Sequence, residues 1–157
     1  MKTLNLLMLL CLPLTVAAGS TGHHDHQHEA RSGGYFGHPG KADAVNRTVA
    51  LNAGDDMRFQ PGKLAVKAGE TIRFVVRNTG KVRHEFMLGG AAEQAEHAKM
   101  MQQMPGMVHE EPNALTLEPG QEKKLIWRFT EPGDVEFACH VPGHYEAGMK
   151  GAVSIAR

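Results

Sequence analysis

The chain is short of cysteine. It has two, Cys11 and Cys139. Cys11 lies in the opening run MKTLNLLMLLCLPLTVAAGS, where Lys2 gives a positive start and Leu4 to Val16 an apolar core interrupted by Asn5, Pro13 and Thr15. Val16-Ala17-Ala18 supplies small residues for a cut after Ala18, so residues 1–18 read as a secretory signal peptide. The apolar run is too short to span a bilayer comfortably. Bulky Leu10 just before Cys11 argues against lipid attachment there. Processing leaves Cys139 as the one thiol of an exported protein, which excludes an intramolecular disulfide. A single cysteine in that setting points to a reactive thiol, an intermolecular bridge or a metal ligand.

Net charge is lacking too: 17 Lys and Arg stand against 17 Asp and Glu. No nucleic acid or other polyanion partner is implied. A second long hydrophobic run is absent, so no membrane span is expected in the mature chain. There is no internal repeat. What remains after residue 18 is enough for one domain with a real core.

Residues 19–44 are rich in Gly, His and small polar residues and offer little to bury, so they read as a disordered tail. His23, His24, His26 and His28 make a tract that suits labile metal binding. From Val45 the pattern changes. Ile72, Phe74 and Val76 alternate with Arg73, Val75 and Arg77, and Leu125, Trp127 and Phe129 with Lys124, Ile126 and Arg128. Period two means strands with one buried face. Turn signals such as Gln60-Pro61-Gly62, Asn78-Thr79-Gly80 and Glu131-Pro132-Gly133 punctuate them. About eight short strands at this spacing predict an all-β sandwich over 45–157. One segment differs: 91–104, AAEQAEHAKMMQQM, has strong helix formers and no β-branched residue, and predicts a helical insertion ended near Pro105-Gly106.

Alternation turns Val135, Phe137 and Cys139 inward on one strand, and His84, Phe86 and Leu88 inward on another. After Cys139 the chain reads C-x4-H-x4-M, adding His144 and Met149. A thiolate and two imidazoles with a weak axial thioether describe a blue-copper site. Zinc is the rival metal, but Met149 suits it poorly and no second CxxC is present. The same parity sends His140 and Glu85 outward, to plain surface roles, the alternatives being a support behind the ligands or an electron exit for His140 and a partner that steadies His84 for Glu85. Asn78 or a nearby backbone amide is a candidate donor to the Cys139 sulfur, and Phe86, Phe137 and Pro142 are candidates to shield the site.

The stretches MRFQPGKLAVKAGETIRFVVRN, VRHEFML and FACHVPGHYEAGMKGAVSI resemble the cupredoxins, the plastocyanin/azurin-like blue-copper fold. The resemblance implies a Greek-key β-sandwich with one type 1 copper on His84, Cys139, His144 and Met149. HEFMLG, MVHEEPNAL and ACHVPGHYEAGMKG are similar to a subgroup, the periplasmic copper-tolerance cupredoxins of the CopI type, which pair a His-rich tail with a Met-rich segment. That implies a monomer in a bacterial periplasm that binds, buffers or relays copper, with a periplasmic copper protein or redox partner.

His97 and Met101 share a helix face, and Met101, Met104 and Met107 recur every third residue before His109. With the tail histidines these are candidates for additional Cu(I) or Cu(II). The alternative function is a small electron-transfer protein, resting on the redox site alone. A copper oxidase is not expected: the HxH pairs lie in the tail, and one small domain lacks the interface a trinuclear cluster needs.

Overall fold

The computed structural model describes residues 36–104, 106, 108 and 111–157. Along the chain run β1 (Gly37–Pro39), β2 (Arg47–Gly54), β3 (Arg58–Gln60), β4 (Lys63–Lys67), β5 (Thr71–Asn78) and β6 (His84–Gly89). Helix α1 (Ala91–Gln103) follows, then β7 (Ala114–Leu117), β8 (Glu122–Phe129), β9 (Gly133–Ala138) and β10 (Lys150–Ala156). Two five-stranded sheets result, ordered β1-β8-β5-β2-β3 and β4-β10-β9-β6-β7. Each contains one parallel pair, β2 with β5 and β4 with β10; the other pairs are antiparallel. The predicted sandwich and its single helical insertion are both present.

Burial alternates along β2 and β10 as the sequence pattern requires. The inward residues of the two sheets share one core, and aromatic rings cross it. Phe74 of β5 lies 5.4 Å from Phe86 of β6, which stacks on Phe137 of β9 at 5.4 Å. Phe59 of β3 packs edge-on against both Phe86 and Phe137. Each such ring contributes roughly 1.5–3 kcal/mol by leaving water. This end of the core is the floor on which Cys139 and His84 rest.

Strand β6 departs from alternation: all six of its residues are buried. Its outward-parity residues, Glu85 and Met87, are covered because α1 returns across β6 and β9. The surface role expected for Glu85 is therefore wrong, since Glu85 is only 1% exposed.

The tail expected over 19–44 also reaches too far. Residues 37–39 pair with Trp127–Phe129 of β8, and a 3-10 turn follows at Ala42–Ala44. Phe36 is fully buried and stacks on Trp127 at 5.4 Å. Gly37 is required by close approach: a Cβ there would run into the Arg128 carbonyl and the Trp127 ring. The signal peptide expected over 1–18 lies outside the described residues.

Candidate metal centre

Cys139 follows β9, and His84 opens β6 beside it. The loop from Cys139 to Met149 folds back through hydrogen bonds of its own. His144 N donates to Val141 O at 2.9 Å, Met149 N to His144 O at 2.9 Å, and Cys139 N to Met149 O at 3.1 Å. Gly148 has φ +98°, a conformation that side chains rarely adopt, and a Cβ there would lie 2.8 Å from the Arg58 guanidinium. That guanidinium donates to Ala147 O at 2.8 Å and ties the loop to β3.

The folded loop brings His144 Nδ1 to 3.4 Å from Cys139 Sγ. The His84 and His144 rings stand 5.1 Å apart. Ligand atoms of His84, Cys139 and His144 all lie within 4.8 Å of one another, the one such group of His, Cys, Asp or Glu among the described residues. Met149 is fully buried in the adjoining core. His84 is sealed from solvent while His144 is half-buried. Phe86 and Phe137 line the core side as expected; Pro142 is exposed on the loop.

His84 Nδ1 is buried without a hydrogen bond. Its other nitrogen, Nε2, lies 3.4 Å from Asp55 Oδ1, long for a hydrogen bond but near enough to orient the ring. Asp55 is itself held by the amides of Lys81 and Val82, the first at 2.8 Å. A carboxylate on the far side of an imidazole is the arrangement that steadies a metal-binding histidine. Burial pushes both His84 and His144 below the usual imidazole range, so both rings are neutral near neutral pH and able to ligate. Burial pushes the Cys139 thiol up to about 12, so a metal has to displace its proton. Glu85 N donates to Cys139 Sγ at 3.2 Å and opposes that rise. The expected sulfur donor is thus a backbone amide; the Asn78 side chain instead donates to Val82 O and Leu117 O.

A soft thiolate, two neutral imidazoles and an orphaned ring nitrogen are a donor set suited to copper. The family model for copper binding proteins of the plastocyanin/azurin family matches residues 45–156. The chain belongs to the plastocyanin/azurin family of copper-binding proteins. It is 41% identical to a copper-resistant cuproprotein CopI of Rubrivivax gelatinosus, over 96% of this chain and 94% of that one. A Pseudomonas aeruginosa protein of the same description is 40% identical over 76% of this chain and 82% of its own. The fold is shared with the reduced auracyanin of Roseiflexus castenholzii, at TM-score 0.61 and 22% identity over 72% of this chain and 99% of that one. As a member of the plastocyanin/azurin family, the chain binds copper.

The accessory candidates divide. His97 and Met101 do share a face of α1, but it is the buried one, and Met104 is exposed at the helix end. His97 Nε2 lies 2.8 Å from Glu85 Oε1, and Nδ1 lies 3.6 Å from Glu111 Oε2. Burial alone would lower the His97 pKa, but the hydrogen bond and charge of Glu85, with the charge of Glu111, outweigh it and leave the value raised. His23, His24, His26, His28, Met107 and His109 lie outside the described residues. His140, expected on the surface, is 6% exposed, covered by α1 and stacked on Tyr145 at 5.1 Å. Asp55 and His140 are the residues of this centre that sequence reasoning missed. Only the position of His140 next to Cys139 hinted at either.

Among the described residues, no helix is long and apolar enough to cross a membrane.

Proposed function

We propose that the protein is a periplasmic type 1 copper protein that contributes to copper tolerance by binding, buffering or relaying copper. The buried His84–Cys139–His144 group, with Met149 closing its loop, carries this reading. Cys139, His84 and His144 would hold the ion, with Met149 as a weaker sulfur donor. Bound copper supplies a one-electron couple, and the protein side is a pre-folded loop that needs little rearrangement. No catalytic turnover is assigned. The tolerance role draws on the relatives described as copper-resistant cuproproteins, similar over most of this chain.

The opening run supports export through a cleaved signal peptide, and the tail histidines, with Met104, Met107 and His109, support capture of additional Cu(I) or Cu(II) ahead of delivery to a periplasmic partner. His97 is left out of that set, because Glu85 holds it.

The test is a copper titration of the mature protein followed by visible and EPR spectroscopy. An intense thiolate-to-copper band, lost in Cys139→Ser, is expected. A folded, copper-loaded protein without that band refutes the type 1 assignment. Electron transfer is the second reading, favoured by His144, which reaches the surface while His84 is sealed. A deletion strain impaired in respiration at low copper favours it; a strain impaired only under copper stress favours tolerance.

A further inference from the structure

Helix α1 does more than cover β6. Four polar side chains lie between them: Glu85 at 1% exposed, Gln94 and His97 at 3%, and His140 at 6%. Burying such groups is costly unless each finds a partner, and here they partner one another. Glu85 Oε1 accepts from His97 Nε2 at 2.8 Å, and its Oε2 accepts from the His140 backbone amide at 3.2 Å. Gln94 Nε2 donates to Met87 O at 3.1 Å on β6 and to Glu136 O at 3.0 Å on β9. Its Oε1 is therefore the acceptor, and His140 Nε2–H donates to it at 2.6 Å. The His97 and His140 rings meet edge to face at 5.5 Å.

Two members of this group sit next to copper ligands in the chain. Glu85 follows His84, and His140 follows Cys139. The amide of Glu85 donates to Cys139 Sγ, and the amide of Val141 supports the sulfur beside it. Rotation of Glu85 about its backbone would swing that amide away from the sulfur. Its two carboxylate bonds, one to α1 and one to the chain beyond Cys139, oppose that rotation.

We propose that α1 is a positioning element for the copper thiolate, with His97 and Gln94 as the positioning residues that act through Glu85 and His140. The inference rests on the type 1 copper reading. It assigns the helical insertion a part in setting the electronic character of the site, because the amide–thiolate hydrogen bond changes the electron density that sulfur offers to copper. Neither residue touches the metal.

The test compares copper-loaded wild type with His97→Ala, His97→Gln, Gln94→Met and the exposed-face control Glu96→Ala. The energy of the thiolate-to-copper band and the copper hyperfine splitting are read beside Tm. His97→Ala and Gln94→Met are expected to shift both spectroscopic values. His97→Gln, whose amide can still donate to Glu85, is expected to return towards wild type, and Glu96→Ala to match it. Amide hydrogen exchange on copper-free protein is the second measurement and serves if His97→Ala does not fold. In Gln94→Met, exchange at Glu85 is expected to quicken relative to exchange at Phe74 in β5, and in His97→Gln to stay close to wild type. Variants that lower Tm yet keep the wild-type band, splitting and exchange ratio would overturn the proposal and leave α1 a cover only. A wild type without the band removes the copper reading, and this proposal falls with it.

Discussion

At the scale of single residues, the centre rests on pushing each ligand towards its binding form except one. The two imidazoles are neutral near pH 7 because burial disfavours their cations. The thiol, near 12, is the exception. Binding a metal ion recovers the cost of ionising it, and Cys139→Ser, which removes the thiolate, is expected to abolish the intense band. Met149→Leu, which removes a weak ligand, is expected to keep that band while shifting the reduction potential; cyclic voltammetry beside absorption checks this. His97 gives a separate test by pH. Its folded pKa is raised above 6.5, so its stabilisation is fully present below the unfolded value and fades as pH rises through the folded one. Comparing Tm of copper-free wild type and His97→Gln, the deficit should be largest near pH 6, about 1.5–3 kcal/mol, and shrink on the alkaline side. His84 and His144 shift the opposite way in both proteins and so largely cancel, whereas His140, which the charge of His97 helps to lower, is relieved in the variant. A deficit constant with pH refutes a charged His97–Glu85 pair. The clustering of His84, Cys139 and His144 was legible because strand parity and loop spacing are local signals. Asp55 was not, because nothing local in the sequence relates it to His84; only the packed fold brings the two to 3.4 Å.

At the scale of elements, legibility followed whether one layer or two covered a strand. The alternation of β8 read correctly because its outward residues Lys124 and Arg128 meet water. The parity of β6 read correctly for His84, Phe86 and Leu88, and wrongly for Glu85, because the outer face of β6 is packed under α1. A helix predicted from propensity carries no statement of which strand it will cover, so His140 was misplaced for the same reason. The first strand was lost differently. Residues 36–44 share the composition of a tail, and composition averages away a single anchor. Phe36 is that anchor, stacked on Trp127 beneath β8. Phe36→Ala is expected to cost about 3–5 kcal/mol, the range for emptying a buried aromatic site. Chemical denaturation of the copper-free protein checks it. A loss below about 1 kcal/mol would mean that β1 is an ornament to the sandwich rather than part of it.

At the scale of the molecule, the sandwich provides a preformed copper centre, and the proposed copper-tolerance role turns on whether the chain holds copper beyond it. Neighbouring strands β6 and β9 of one sheet and the loop returning to β10 hold His84, Cys139 and His144 within 4.8 Å of one another before any ion arrives. Such a holder binds one copper whether the protein carries electrons or guards against excess metal. The two readings differ in capacity. A carrier has no use for further equivalents, whereas buffering or relay gains from labile sites that fill first and empty first. The histidines at 23, 24, 26 and 28 are the densest candidates for such sites. Deleting residues 19–35 stops one residue short of Phe36, so the β1 anchor and the core are left whole. The expected outcome is an unchanged thiolate band and unchanged Tm, with fewer copper equivalents per chain by titration and weaker growth under copper stress. A truncated protein with full stoichiometry and full tolerance would confine copper handling to the sandwich. The electron-transfer reading would then gain, because the sandwich presents a single half-buried histidine, His144, as the way in.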